Sequence, residues 1–443
     1  ITNKGRAAGR SGLGAVMGSK KLKAIAVRGQ QVVPLAHKSA LQQARKKYLK
    51  QISSSAAGQA LRQQGTNAYM PISLMIGDTP VKNWNMTGLE TFPNANALSG
   101  ETVNTLQQRK YGCWRCPIAC GGLMKAGVEY NYPAGVHRPE YEAVGSFGTL
   151  CFNDNLESII MASEICNRHG LDTISTGAAV AFAIECYENG LITDKDTDGI
   201  QLKWGNHQAI VAMTEKIAKR EGFGNTLADG VKVAAEKIGK GAEEFAIHIH
   251  GQEVPMRDPK FEIGYTVAYL DATPARHTQG NVGMIGIPAS GLELPPFDPQ
   301  SYTGRAEAHK VASHLFHVMQ CAGLCMFGYM SMDVNSVPKF LNLVTGWDYG
   351  IDDLLKIGER IANIRQAFNI REGISMRDFK MPNRVLGHPP LEAGPTAGRE
   401  VDIETLLREY LAAMDWDPET GKPSRRKLLE LGLKDVAEAL WPQ

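Results

Sequence analysis

Three cysteines fall within eight residues, in Tyr-Gly-Cys113-Trp-Arg-Cys116-Pro-Ile-Ala-Cys120-Gly-Gly. An odd number of thiols this close together cannot pair off among themselves. Pro117 interrupts the segment and Gly121-Gly122 closes it, so it reads as a loop. Such a loop can wrap its sulfurs around one metal centre, which then takes a fourth ligand from elsewhere in the chain. Iron–sulfur clusters and structural zinc both use shells of four cysteines. The loop points first to a redox protein and second to a zinc-stapled interaction protein.

The fourth ligand is sought in Gln320-Cys-Ala-Gly-Leu-Cys325, where Cys325 leads and Cys321 can serve instead. Zinc usually brings two tight Cys/His pairs; here the second pair lies about two hundred residues from the first, which favours iron and sulfur. The eight cysteines show no spacing of a secreted disulfide scaffold. Cys151, Cys166 and Cys186 sit in apolar helical surroundings, where free thiols are common. A reducing, cytoplasmic compartment fits. A net charge of +2 gives no case for nucleic acid or an anionic membrane, and no apolar run reaches a membrane span. The opening Ile-Thr-Asn-Lys-Gly-Arg has no signal-peptide character and is expected to lie inside a longer protein.

Periodicity predicts mostly helix. Helices are expected over 37–65, 101–109, 155–168, 172–190 (with Asp172 as N-cap), 206–221, 225–238, 262–270, 305–319, 352–368, 403–414 and 424–440. A short strand is expected at 22–27, and long loops at 66–100 and 278–303. The fold class is mainly α.

Other segments carry chemistry with less specificity. Gly12-Leu-Gly14-Ala-Val-Met-Gly18 has neither dinucleotide nor P-loop spacing; with Arg6 and Arg10 nearby it suits phosphate, or is a solvated basic turn. Glu140 and Glu142 follow Pro139, near Glu129 and His137. Either is a candidate general base if burial raises its pKa, and the pair can equally be an acidic helix start. Asp271-Ala-Thr-Pro-Ala-Arg276-His277 joins an acid, a guanidinium and an imidazole in a Pro-broken loop, where His277 can exchange a proton near neutral pH or be structural. His314 and His317 share a helix face at metal-ligand spacing; His248 and His250 read as an ordinary strand.

Five segments together resemble the aldehyde ferredoxin oxidoreductase family of tungsten bis-pterin enzymes. They are Arg6-Ala-Ala-Gly-Arg-Ser-Gly-Leu-Gly-Ala-Val-Met-Gly-Ser-Lys-Lys-Leu-Lys-Ala-Ile, the cysteine loop, Pro139-Glu-Tyr-Glu142, Gly170-Leu-Asp172-Thr-Ile-Ser-Thr-Gly177 and Gly323-Leu-Cys325-Met-Phe327. The resemblance implies the end of an N-terminal β-rich pterin-binding domain over 1–35, then two helical domains, 36–245 with the cluster loop and 246–443 with the second pterin loop. It makes Cys113, Cys116, Cys120 and Cys325 ligands of a 4Fe–4S cluster. It places Arg6, Ala8, Arg10, Gly12, Asp172, Gly177, Gln320, Gly323 and Leu324 at a tungsten (or molybdenum) bis-pterin with magnesium between its phosphates. Asp172 would accept from a pterin amino-pyrimidine edge. Gln320 stands where the family has a second such Asp, and its amide nitrogen cannot accept.

The implied reaction oxidises a small aldehyde with water to a carboxylic acid. His277 is the acid and Glu140 or Glu142 the base, and electrons pass singly to a ferredoxin or an iron–sulfur subunit. A homodimer or hetero-oligomer is expected. A tungsten-dependent aromatic acyl-CoA reductase of the benzoyl-CoA type is the alternative on the same scaffold.

Overall fold

A computed structural model describes residues 2–280, 292, 294 and 298–442; most of the loop expected over 278–303 lies outside them. About half of the chain is helical. Among the described residues, strands occur only as short antiparallel pairs. The mainly α expectation holds.

Two compact units share the chain, each built from three segments: Ile1–Val27, Ala60–Phe261 and Met381–Val401 form one; Arg28–Gln59, Glu262–Lys380 and Asp402–Gln443 form the other. The expected division into 1–35, 36–245 and 246–443 runs consecutively, whereas these units interleave along the sequence.

The first unit contains α1 (Leu13–Ser19), β1 (Gln107–Tyr111), β2 (Gly121–Met124), α2 (Tyr141–Val144), α3 (Leu156–His169), α4 (Thr173–Glu188) and α5 (His207–Lys219). Asn155 starts α3 by accepting from the Ser158 amide at 2.9 Å, and Gly170 stops it at φ 77°, a conformation glycine adopts without strain. Asp172 then caps α4, accepting from the Ile174 amide at 3.2 Å. Helix α4 is largely apolar on every face and buries every residue from Thr176 to Cys186, as a central helix must. Gly177 permits its close approach to the 145–149 segment: a Cβ there would lie 2.7 Å from the Ser146 backbone. Buried Glu185 accepts from Asn83 at 2.6 Å, Asn85 at 2.8 Å and Arg384 at 2.8 Å. That carboxylate ties two distant stretches of chain to the unit.

Strands β1 and β2 pair antiparallel, with Tyr111 opposite Gly121, so the cysteine loop is a hairpin tip. The helix expected over 101–109 is shorter, Gly100–Thr105, because pairing with β2 claims the chain from Gln107 onward. Leu22–Val27 meets no partner strand among the described residues; Ile25 and Val27 are 72% and 88% exposed.

The second unit contains α6 (Gly264–Leu270), α7 (Arg305–Cys321), α8 (Ile351–Arg371) and α9 (Ile403–Met414). Asp402 caps α9, accepting from the Thr405 amide at 3.1 Å. Gly358 on α8 meets α7 so closely that a Cβ would lie 2.2 Å from the His314 carbonyl oxygen. The helix expected over 424–440 is two, Arg425–Glu430 and Lys434–Leu440, parted at Gly432 with φ 69°.

Candidate functional site

The first unit holds a cavity of about 200 Å³ whose walls include Arg6, Arg10, His137, Glu140, Glu142 and Asp172. The opening segment reaches it only because two glycines let it pass. A Cβ on Gly5 would lie 1.9 Å from the His137 ring, and one on Gly9 would lie 2.8 Å from the Asp172 amide nitrogen. Gly12, at φ 74°, instead turns the chain into α1. The Ala8 carbonyl accepts from the Gly14 amide at 2.9 Å. Both therefore shape the local backbone, while Gly177 serves helix packing.

The carboxylates of the cavity differ in their surroundings. Glu140 accepts from Arg6 at 3.2 Å through Oε1 and from the Thr66 hydroxyl at 2.7 Å through Oε2. Arg6 also donates to the Tyr111 hydroxyl at 2.9 Å, and Tyr111 bonds His137 Nδ1 at 2.8 Å. Burial holds His137 below the usual imidazole range, which favours its neutral form. Glu142 accepts from the Met256 amide at 2.8 Å. Burial raises its pKa above the usual carboxylate range, against the pull of the Arg257 guanidinium. Asp172 Oδ2 accepts from Arg10 and from the Ser175 hydroxyl, each at 2.8 Å. Arg10 donates onward to the Glu253 carbonyl at 2.7 Å.

Tyr111 carries this network to the cysteine hairpin, two residues before Cys113. At the tip, Cys113 is exposed and Cys116 and Cys120 are half-buried. The Cys116 amide donates to the Cys113 carbonyl at 3.0 Å, while Arg115 and Ala119 take left-handed φ of 56° and 50°. Arg62 donates to the Pro117 carbonyl at 2.9 Å. Buried Arg138 donates to the Cys120 carbonyl and, at 2.9 Å, to Gln107. The loop is thus pinned at Pro117 and Cys120. Among the described residues, no three His, Cys, Asp or Glu side chains close into a metal-holding set; the tip offers three thiols as donors rather than an assembled cage.

In the second unit, Gln320 ends α7 exposed and donates its amide nitrogen to the Thr278 carbonyl at 2.5 Å. Gly323 has φ 70°, and the Leu324 amide returns to the Met319 carbonyl at 3.0 Å. Cys321 and Cys325 are both exposed. His277 is half-buried in the loop after α6. His314 and His317 are buried on α7, where His317 accepts from Arg365 at 3.1 Å. A guanidinium facing that ring argues against the metal pair.

The structure therefore gathers Arg6, Arg10, Glu140, Glu142 and Asp172 around one cavity. Tyr111, Thr66 and Arg138 were not singled out by the sequence. Their only signal is adjacency, Tyr111 to the cysteines and Arg138 to Pro139-Glu140.

Residues 43–433 match domains 2 and 3 of aldehyde ferredoxin oxidoreductase, and residues 1–29 match its N-terminal domain. The chain belongs to the aldehyde ferredoxin oxidoreductase family. Tungsten-containing aldehyde ferredoxin oxidoreductases of Pyrococcus furiosus and Thermococcus kodakarensis are 36% and 35% identical to it, over 98% of this chain and 71% of theirs. The WOR-like subunit of an aliphatic sulfonate oxidoreductase of Pyrococcus furiosus is 28% identical, over 97% of this chain and 67% of that one. The BamBC active-site complex of benzoyl coenzyme A reductase superposes with a TM-score of 0.76 at 21% identity, covering 97% of this chain and 70% of that chain. That likeness speaks for the family fold alone.

Proposed function

We propose that this family member is a tungsten bis-pterin, iron–sulfur oxidoreductase that converts an aldehyde and water to a carboxylic acid, two protons and two electrons. The similarity to tungsten-containing aldehyde ferredoxin oxidoreductases over 98% of the chain carries this reading. The cavity's donor set fits the group. Guanidinium forks on Arg6 and Arg10 suit pterin phosphates, and the Asp172 carboxylate, with three partners already, keeps lone-pair capacity for an amino-pyrimidine donor. When bound, the tungsten–pterin group supplies the two-electron acceptor and the cluster a one-electron outlet. Cys113, Cys116 and Cys120 would hold the cluster with Cys325 as the fourth ligand; its test is loss of iron in Cys325→Ala.

Glu142 is the better base. Its raised pKa brings it nearer the working pH, where a carboxylate removes a proton most effectively. Glu140, held by Arg6 and Thr66, keeps that guanidinium oriented. His277 is assigned the acid's part, as in the family. The released electrons would leave to a ferredoxin or an iron–sulfur subunit.

Turnover of simple aldehydes by anaerobically purified enzyme with a viologen acceptor tests this reading. Turnover of an acyl-CoA thioester with none of aldehydes would replace it with the reductase alternative.

A further inference from the structure

We infer that Arg365 is the positioning residue of the His277 loop, clamping both of its necks so that the imidazole is presented in one place. The inference rests on His277 having the acid's part proposed above.

The loop runs from the end of α6 to Gly280, and the Gln279 side chain ties its two necks together. Gln279, buried, accepts from the Thr273 amide at 3.2 Å through Oε1. It donates to the Thr273 carbonyl at 2.6 Å and to the Ala268 carbonyl at 3.1 Å through Nε2. Arg365 grips both ends of that closure. Its Nη2 donates to the Thr273 hydroxyl at 2.8 Å and to Gln279 Oε1, while Nη1 donates to His317 Nε2 at 3.1 Å. One guanidinium thus joins two loop necks and α7 to α8.

Three further contacts act in the same sense. Asn369, one helical turn beyond Arg365, donates to the Ala272 carbonyl at 2.8 Å. Gln320 donates to the Thr278 carbonyl at 2.5 Å. Gly280, at φ 110°, approaches α7 so closely that a Cβ would lie 2.5 Å from Ser313 Cα. Residues 272, 273, 278, 279 and 280 are therefore fixed, and between them Ala275 is buried with its amide donating to the Tyr269 carbonyl at 2.8 Å, while Arg276 donates to the Thr278 hydroxyl at 3.0 Å. Lysine cannot reproduce the clamp, because a point ammonium lacks the planar fork that reaches several acceptors at once. His317 accepts only as a neutral imidazole, and burial pushes its pKa down to about 4, so the clamp is intact at neutral pH. A group held this way reacts without first being ordered, and a misplacement of about 1 Å can cost on the order of a hundredfold in rate.

The test compares Arg365→Gln, Arg365→Lys and Thr273→Val holoenzymes with wild type by amide hydrogen exchange and steady-state kinetics. Arg365→Gln is expected to speed exchange across 272–280 while α7 and α9 stay protected. It should lower kcat by about 10- to 100-fold, with KM within about twofold. Arg365→Lys should move both readouts the same way, and Thr273→Val should do so more weakly. If Arg365→Gln does not fold, Thr273→Val carries the exchange test. Wild-type exchange across 272–280 in the folded variants overturns the clamp. So does wild-type kcat in Arg365→Gln where His277→Gln is inactive. Full activity of His277→Gln removes the acid role of His277 instead, and faster loop exchange in Arg365→Gln would still establish the clamp.

Discussion

Glu140 and Glu142 sit on either side of Tyr141, yet they meet opposite environments. A guanidinium and a hydroxyl hold Glu140, whereas Glu142 is buried against the Met256 amide with its pKa raised. Glu142→Gln should lower kcat by about 10²- to 10⁴-fold. In wild type the rate should rise with pH as Glu142 loses its proton, at a pH above the ordinary carboxylate range. That limb should vanish in Glu142→Gln and persist in Glu140→Gln, which a pH–kcat profile reads. Both glutamates were legible as candidates from Pro139-Glu-Tyr-Glu142. The choice was not, since burial at Glu142 comes from residues 114 positions away. Asp172 was legible as an N-cap and, through the resemblance, as a cofactor contact. Its ion pair with Arg10, 162 positions distant, was not. Asp172→Ala removes a cap worth about 1 kcal/mol and the carboxylate of its ion pair with half-buried Arg10, so urea unfolding should show a loss of about 1–3 kcal/mol.

Asp172, expected as an N-cap, caps the helix that follows it, and Asn155, Asn206 and Asp402 do the same at theirs. Misreadings arose where non-local partners decide. The chain at Gln107 turns to strand because β2 lies beside it, and 22–27 forms no strand because none pairs with it among the described residues. Close helix packing was also hidden. Gly358 looks like a plain defect in α8, where alanine should add up to about 1 kcal/mol from propensity. Yet a Cβ there would meet the His314 carbonyl at 2.2 Å, and overpacking of that kind costs about 1–3 kcal/mol. Gly358→Ala is therefore expected to be net destabilising, by about 1 kcal/mol or more, in denaturant titration. A more stable variant would show that α7 and α8 can separate at small cost.

The interleaving of the units was beyond reach of local pattern, because residues 28–59 and 381–401 join their units through contacts far away in sequence. One consequence concerns pH. His309 and His317, both on α7, have pKa values lowered by burial to about 4. In the unfolded chain an imidazole binds its proton below about 6.5. Between those values the unfolded state holds more protons, so stability is full above about 6.5 and falls as pH drops toward 4. Denaturant midpoints measured across that window should decline, and His309→Gln should flatten the decline if it folds.

Metal content decides the chemistry. Elemental analysis of the anaerobically purified protein should find about one tungsten and about four irons per chain, from one bis-pterin centre and one cluster. About one zinc per chain, with neither iron nor tungsten, would contradict the redox assignment and leave Cys113, Cys116 and Cys120 as a structural staple.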